Sequence, residues 1–293
     1  MNLETMTAEE RQHLVDQFYW YQTIAFEDGV VTRGTVDHGP VFAKYGFPTV
    51  EGRTVLDVGA SDGYFAFRLE QLGASRVVAV DINRWADTSG MDTPARTRLR
   101  RQQKWMPYAG QEAEYRRREQ LARDLGLETP NPFHLAQRLL HSRVDGRYLS
   151  VYDLPQLGEE FDLVFLGTVT THLQDLPAAF EAVRAVTRRQ AVIACADLLD
   201  VRPQSGWRWV AYQAIRALST GAGLQDEFPS VRSRPVALYT ANEGGAIWRP
   251  SVECIREMLL SAGFRDAHVF SRFTLDNLRH STKMRHVVIH AFV

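Results

Sequence analysis

The chain of 293 residues is 45% hydrophobic and 24% charged, the composition of an ordinary globular protein, and its formal net charge is −1. Balanced charge excludes a global field that would draw the chain to nucleic acid or to an anionic membrane. Cys195 and Cys254, the only cysteines, lie in apolar patterns typical of buried thiols, which argues against a disulfide or a metal site. Because no signal peptide or membrane-spanning stretch is evident, we expect a cytoplasmic protein.

The N-terminal region begins with a helix signal. Thr7 followed by Glu10 forms a capping box, and the apolar residues from Leu14 to Ile24 predict a continuous helix of about four turns. Glycines at 29, 34 and 39 then break the pattern, which predicts an irregular and partly extended segment.

From residue 53 the pattern alternates between strands and helices. Strands are predicted at 53–59, 76–82, 161–167 and 190–199, with a third strand of the sheet around "YLSVYDL", and helices at about 64–72 and 176–187. Strands rich in valine that are separated by helical crossovers predict a doubly wound parallel sheet of the α/β class. A helix over about 251–262 and two final strands predict a C-terminal antiparallel hairpin.

Two insertions interrupt this alternation, at about 84–146 and 200–247. The first contains helical patterns near 95–104, 111–125 and 133–141, and an insertion of that length at the ligand-binding edge of a sheet is more typical of a lid than of a disordered loop. We therefore expect residues 1–50 to form a helical arm and a covering segment, and residues 51–293 to form one domain with a substrate lid.

A run of small residues lies between the first strand and the following helix. Asp57, Gly59, Ser61 and Gly63 form the pattern D-x-G-x-S-x-G, and small residues at this turn let the backbone approach a ligand. The spacing resembles the first motif of class I S-adenosylmethionine-dependent methyltransferases, with serine at the middle glycine. The resemblance implies a Rossmann-like fold and S-adenosylmethionine as the cofactor. It places the following residues at the cofactor: Asp81 on the ribose hydroxyls with Ile82 beside it, Tyr152 and Asp153 at the adenine, and Gly167 after the fourth strand.

A narrower resemblance involves the N-terminal segment, the sheet and the C-terminal helix. The stretches "FYWYQTIAFEDGVVTRGTVDH", "SVYDLPQLGEEFDLVFLGTVTTHLQDL" and "AIWRPSVECIREMLLSAGF" resemble the branch of tRNA wobble-uridine carboxymethyltransferases and bacterial small-molecule methyltransferases. The tRNA group usually has Tyr-His-Arg after the fourth strand, where this chain has Thr171, His172 and Leu173. Without the arginine a carboxylated cofactor loses a charge-assisted partner, which favours unmodified S-adenosylmethionine.

Two histidines are candidate bases. His172 follows the fourth strand at the carboxyl edge of the sheet, and histidine ordinarily titrates near pH 6.5, which suits proton removal from an acceptor; capping or packing of the next helix is the alternative. His38, beside Asp37, lies in a segment that could fold over the cofactor, although a turn stabilised by Asp37 is the simpler explanation. In "FYWY", Trp20 or Tyr21 is a candidate to cover the cofactor, with core packing as the alternative.

The insertions give the prediction for the acceptor. Arginines near 96–118 are interleaved with acids, which favours a solvated face over a tRNA-binding surface. Aromatic residues on both insertions favour a bulky apolar acceptor in secondary metabolism. One hypothesis is C-methylation of a terpenoid or a prenylated indole of the teleocidin type, with cyclisation; O- or N-methylation with His172 as base fits equally well.

Two alternatives to a small-molecule methyltransferase are modification of tRNA and cofactor binding without methyl transfer. We also expect a homo-oligomer formed through the N-terminal helix.

Overall fold

The computed structural model describes residues 3–82, 117, 120–127, 132–196, 198–199, 235–240, 247–279 and 281–293. Within these ranges one sheet has seven strands: β1 (Thr54–Val58), β2 (Arg76–Asp81), β3 (Asp145–Tyr148), β4 (Phe161–Gly167), β5 (Thr187–Ala196), β8 (Asp266–Asn277) and β9 (Thr282–Phe292). Their order in the sheet is β3-β2-β1-β4-β5-β9-β8, and the remaining two strands form a separate small sheet. The first five are parallel and β9 is antiparallel to both neighbours. This arrangement confirms the predicted doubly wound sheet with its C-terminal hairpin.

Helices cover both faces of the sheet. They are α1 (Ala8–Val15), α2 (Tyr64–Gln71), α3 (Pro132–Leu139), α4 (Leu176–Ala185) and α5 (Val252–Ser261). One buried cluster joins residues of α2 and α3 to the N-terminal region, and a second joins α4 and α5 to the opposite face. None of the described helices is long and apolar enough to cross a bilayer.

The N-terminal helix is shorter than the sequence pattern predicts. It starts with the predicted capping box at Thr7 but ends at Val15, after about half of the expected turns. Beyond it the chain is extended and paired through isolated bridges, such as Gln22 with Val36. Leu14, Val15, Phe18 and Trp20 are buried in the core of the same chain, which accounts for the apolar pattern without a longer helix. Pairing between subunits through this region stays a prediction.

The predicted third strand also differs from the structure. β3 ends at Tyr148, and residues Val151–Leu157 form a 3-10 helix capped by Ser150. The hydroxyl of Ser150 accepts a hydrogen bond from the N–H of Tyr152, which favours a helical turn over a strand, and Pro155, directly after the predicted stretch, has no backbone N–H with which a strand could continue.

The lid predictions are only partly within the described residues. Residues 120–124 and α3 are helical, in agreement with two of the predicted pieces, whereas the piece near 95–104 lies outside the described residues. The second insertion contributes β6 (Ala237–Tyr239), which pairs with β7 (Trp248–Pro250) as a small antiparallel sheet that the sequence pattern did not predict.

Candidate active site

The loop after β1 is built on glycines that packing requires. The backbone N–H groups of Gly59 and Ala60 both donate to the carbonyl of Val80 on β2, at 2.8 and 3.2 Å. Gly59 has φ +76°, and a Cβ there would lie 2.2 Å from Cγ2 of Val169. The loop is therefore pressed against both the end of β2 and the segment after β4, at the point where the strand order reverses and α/β sheets bind ligands.

Ser61, which stands at the middle glycine of the motif, has a left-handed backbone with φ +54°. Its N–H donates to Oδ2 of Asp81 at 2.8 Å. The structure thus brings together two residues that the sequence predicted at the cofactor, one from the loop and one from the end of β2. Gly63 completes the turn as the N-cap of α2, where a Cβ would lie 2.4 Å from the Phe67 ring.

Asp62 is a residue of this loop that the sequence analysis missed. Its side chain is 1% exposed, and Oδ2 accepts hydrogen bonds from the backbone N–H groups of Tyr21 at 2.6 Å and Gln22 at 2.8 Å. The motif treats this position as variable, so the only sequence signal was an extra carboxylate inside an otherwise small loop. Asp62 joins the N-terminal region to the loop after β1.

Three carboxylates meet at this loop. Burial and then the charge of Asp81 raise the pKa of Asp57 to about 7, and the Ala66 amide only partly opposes this. Burial also raises the pKa of Asp62 to about 7, against the opposing hydrogen bonds from the amides of Gln22 and Tyr21. Asp57 Oδ2 is buried with no hydrogen-bond partner in the described part of the chain. Since S-adenosylmethionine carries a sulfonium and an ammonium group, a cluster of carboxyl groups with an unused acceptor fits this cofactor, because a bound cation favours the ionised form of Asp57 and Asp62.

Three further residues that were predicted at the cofactor lie beyond β2 and β3. Ile82 is 42% exposed immediately after β2, as a residue available to a ligand would be. Tyr152 and Asp153 lie on the 3-10 helix after β3 instead of on the strand, and Asp153 accepts a hydrogen bond from Gln156 at 3.1 Å. All three remain at the carboxyl edge of the sheet, so their proposed contacts to the cofactor stay predictions.

Tyr152 also has a structural contact that the sequence did not indicate. Its hydroxyl oxygen accepts hydrogen bonds from the backbone N–H groups of Gln174 at 3.2 Å and Asp175 at 3.1 Å. Asp175 is the N-cap of α4. Tyr152 therefore connects the adenine side of the predicted site to the segment that precedes α4.

The segment after β4 carries the principal candidate base. A Cβ at Gly167 would lie 2.7 Å from the Phe165 ring, and Thr168 has a left-handed backbone with φ +59°. The chain then forms the 3-10 helix Thr170–His172, on which His172 is exposed. Because Val169 of this segment contacts Gly59, His172 lies on the same edge of the sheet as the cofactor loop.

His38 lies in a different environment from His172. It is 4% exposed, its Nδ1 is 2.9 Å from the Tyr45 hydroxyl, and its ring lies 4.7 Å from the Phe65 ring. Burial, with a smaller contribution from His286, lowers the pKa of His38 to about 3. A neutral histidine held in an aromatic cluster is typical of packing, and its weak basicity makes it a poorer base at neutral pH than an exposed histidine.

The two aromatic candidates of the N-terminal region separate in the structure. Trp20 is 1% exposed and its indole N–H donates to the carbonyl of Val15 at 2.8 Å, so it has the contacts of a core residue, contrary to the prediction that it covers the cofactor. Tyr21 is partly exposed and its backbone is held by Asp62. Of the pair, Tyr21 remains the candidate for covering the cofactor.

Comparisons with known proteins agree with this geometry. The profile of a family described as "Methyltransferase domain" matches residues 40–269. A tRNA U34 carboxymethyltransferase of Campylobacter hominis is 24% identical over 139 residues, which are 47% of this chain and 34% of that relative. The chain thus spans about a third of the length of the curated relative that it matches.

Solved structures share the fold at low identity. The N-terminal domain of EvdMO1, crystallised with S-adenosylhomocysteine bound, matches with a TM-score of 0.55 and 13% identity, and both chains are covered completely. EvdMO1 itself gives a TM-score of 0.50 at 12% identity, covering 97% of this chain and 47% of that one. With most of its length matched by the family profile, the chain belongs to the methyltransferase domain family.

Proposed function

We propose that the protein transfers the methyl group to a bulky apolar or aromatic small molecule of secondary metabolism. The observation that carries this proposal is an aromatic pair on the β6–β7 hairpin. The rings of Tyr239 and Trp248 lie 4.9 Å apart, and Tyr239 is 60% exposed. Exposed aromatic surface beside a catalytic edge is typical of a wall that contacts an apolar ligand.

The hairpin is attached to the segment that carries His172. The N–H of Ile247 donates to the carbonyl of Thr171 at 2.7 Å, and the indole N–H of Trp248 donates to the carbonyl of Gln174 at 3.0 Å. These two hydrogen bonds lie on either side of His172 in the chain. The aromatic pair is thus attached to the segment that carries the candidate base, which supports an acceptor that contacts both.

Methyl transfer is an in-line displacement, so the chain has to orient the acceptor and exclude water. For an alkene acceptor, such as a terpenoid or the prenyl group of an indole, the aromatic faces of Tyr239 and Trp248 would stabilise the carbocation that methylation leaves. For an oxygen or nitrogen acceptor, His172 would remove the proton. Both versions of the proposal use the same surface.

The second candidate function is modification of a tRNA wobble uridine, favoured by the similarity to the Campylobacter hominis enzyme. Against it stands Leu173, at the position where that group usually has arginine. Leu173 is 7% exposed and packs in the core below α4, an environment that an arginine could not share without losing its solvation. The balanced charge of the chain also argues against a tRNA-binding surface.

Methyl-labelled S-adenosylmethionine, incubated with the protein and a bacterial lysate, distinguishes the two functions. We expect label in the organic-extractable fraction and none in RNA, and mass spectrometry of the labelled species would identify the acceptor. Tyr239→Ala should reduce this labelling about tenfold. Leu238→Ala is the matched control, because Leu238 is also exposed but points to the opposite face of the same strand. Label confined to RNA would support tRNA modification instead.

A further inference from the structure

Asp62 occupies an unusual position for a residue that precedes a helix. A carboxylate near the start of a helix commonly binds the first turn of that helix. Asp62 comes directly before Gly63, the N-cap of α2. Its Oδ2 instead accepts hydrogen bonds from Tyr21 and Gln22, forty and more residues earlier in the chain. The side chain is buried at 1% exposure, so these contacts are made without competition from water.

A second contact closes a ring between the same two regions. Oε1 of Gln22 accepts a hydrogen bond from the N–H of Tyr64, the first residue of α2, at 3.0 Å. Gly63 has no side chain that could accept a hydrogen bond at the start of the helix, so this acceptor comes from the N-terminal region. Asp62 holds Gln22, and Gln22 holds the start of the helix that Asp62 precedes.

The N-terminal segment, which we define as residues 17–38, is itself internally bonded. The hydroxyl of Thr32 accepts from the N–H of Ile24 at 2.7 Å and donates to the carbonyl of Gln22 at 2.8 Å. A Cβ at Gly34 would lie 2.3 Å from the backbone nitrogen of Thr23, so the two sides of the segment lie in close contact. These contacts hold the two sides of the segment together.

From these contacts we propose that Asp62 is a positioning residue that attaches the N-terminal segment to the cofactor loop and thereby holds Tyr21 over bound S-adenosylmethionine. Asp62 lies between Ser61, which binds Asp81, and Gly63, which begins α2. Any change in the loop on cofactor binding is therefore transmitted directly to the backbone of Tyr21 and Gln22. Order in the segment and occupancy of the cofactor site are coupled through Asp62 together with the Gln22–Tyr64 hydrogen bond.

Asp62→Ala in the full chain tests the proposal, with Gln12→Ala as the matched control. Each variant removes two hydrogen bonds to the N-terminal segment, because the Gln12 amide bonds both the N–H and the carbonyl of Val31 on the exposed side. We expect Asp62→Ala to raise the KM for S-adenosylmethionine about tenfold or more, with a smaller change in kcat. Amide exchange at residues 19–24 should rise with it. Gln12→Ala should leave KM unchanged, and Asp62→Asn, whose amide oxygen still accepts the two hydrogen bonds, should keep the slow amide exchange of the wild type at residues 19–24.

A second measurement uses the wild-type protein and does not depend on whether Asp62→Ala folds. S-adenosylhomocysteine should slow amide exchange in the cofactor loop at 59–63 and, with it, at Tyr21 and Gln22. Protection of the loop without any change at Tyr21 and Gln22 would overturn the proposal. So would a folded Asp62→Ala variant with the wild-type KM, or one in which exchange rises while KM does not.

Discussion

The hydroxyl oxygen of Tyr152 accepts a hydrogen bond at 3.1 Å from the backbone N–H of Asp175, the residue that caps α4. With the second bond from Gln174, this contact connects the adenine side of the site to the segment on which His172 lies. Tyr152 thus has two roles open to it: its side chain is 40% exposed and remains available for the predicted contact to the adenine, and its oxygen holds the neighbouring segment.

Tyr152→Phe removes only the second of these roles. We expect the free energy of unfolding to fall by about 0.5–1.5 kcal/mol, because two backbone donors lose their acceptor at a partly exposed site. Cofactor affinity should change by less than about threefold, since the ring face is kept. Urea denaturation and calorimetric titration measure the two effects. A loss of affinity without a loss of stability would contradict this division of roles.

His172→Asn tests the candidate base. If the acceptor loses a proton from oxygen or nitrogen in the transition state, kcat should fall by roughly 10²- to 10⁴-fold and the KM for S-adenosylmethionine should not change. His141→Asn is a suitable control, because His141 is also exposed and has a left-handed backbone that asparagine tolerates. The measurement is steady-state kinetics over a range of pH.

The effect of His172→Asn also distinguishes a carbon acceptor from an oxygen or nitrogen acceptor. A small effect of His172→Asn, together with a large effect of Tyr239→Ala, would assign the reaction to a carbon acceptor that needs no base. Small effects of both substitutions would contradict the placement of the acceptor on this surface.

Asp57→Asn tests the charge of the cofactor loop. Because the pKa of buried Asp57 is raised to about 7, the folded protein binds a proton more readily than the unfolded chain, and the stability from this group is lost as the pH rises through 7. Asparagine does not titrate. The stability of the variant relative to the wild type should therefore increase by on the order of 1 kcal/mol between pH 6 and pH 8.

Urea denaturation of both proteins at the two pH values gives this difference. The lowered pKa of His38 has the opposite effect, because it makes the folded protein less stable as the pH falls below the ordinary range of histidine. This contribution is the same in both proteins, so it cancels when the free energy of unfolding of the variant is compared with that of the wild type. A difference that stays constant from pH 6 to pH 8 would show that Asp57 does not titrate there.

Gly59→Ala tests whether the loop glycine is required by packing. The substitution adds a Cβ 2.2 Å from Cγ2 of Val169 at a residue with φ +76°, so we expect a loss of at least about 2 kcal/mol of stability. Val169→Ala in the same chain removes the clash and should restore part of this loss, leaving the cost of the backbone conformation. A double-mutant cycle measures the coupling. Strictly additive effects would show that the two residues do not meet.

The sheet could be predicted from the sequence because its signals are local. The largely apolar run at 161–167 gives β4 with its observed bounds. Helix α5 begins after Ser251, whose hydroxyl accepts from the N–H of Cys254, and it ends before Gly263, which has φ +99°. Each of these elements carries its own start and stop signals in the chain. Tertiary contacts did not have to be known.

The N-terminal segment could not be predicted in this way. Its apolar residues suggested a longer helix, but the backbone after Val15 is instead held by contacts from far along the chain, above all from Asp62. Periodicity alone does not show which distant partner will supply a hydrogen bond. The same limit explains why Asp62 was missed and why the sequence could not decide between Trp20 and Tyr21 as the residue that covers the cofactor.

The most direct test of the account is a calorimetric titration of the wild type, Asp81→Ala and Asp276→Ala with S-adenosylmethionine. Asp81 binds the loop through Ser61, whereas Asp276 is an exposed acid on the edge strand β8. We predict one binding site in the wild type, at least about tenfold weaker binding in Asp81→Ala, and unchanged binding in Asp276→Ala. Wild-type affinity in Asp81→Ala, or no binding by the wild type at millimolar cofactor, would contradict the placement of the cofactor at this loop.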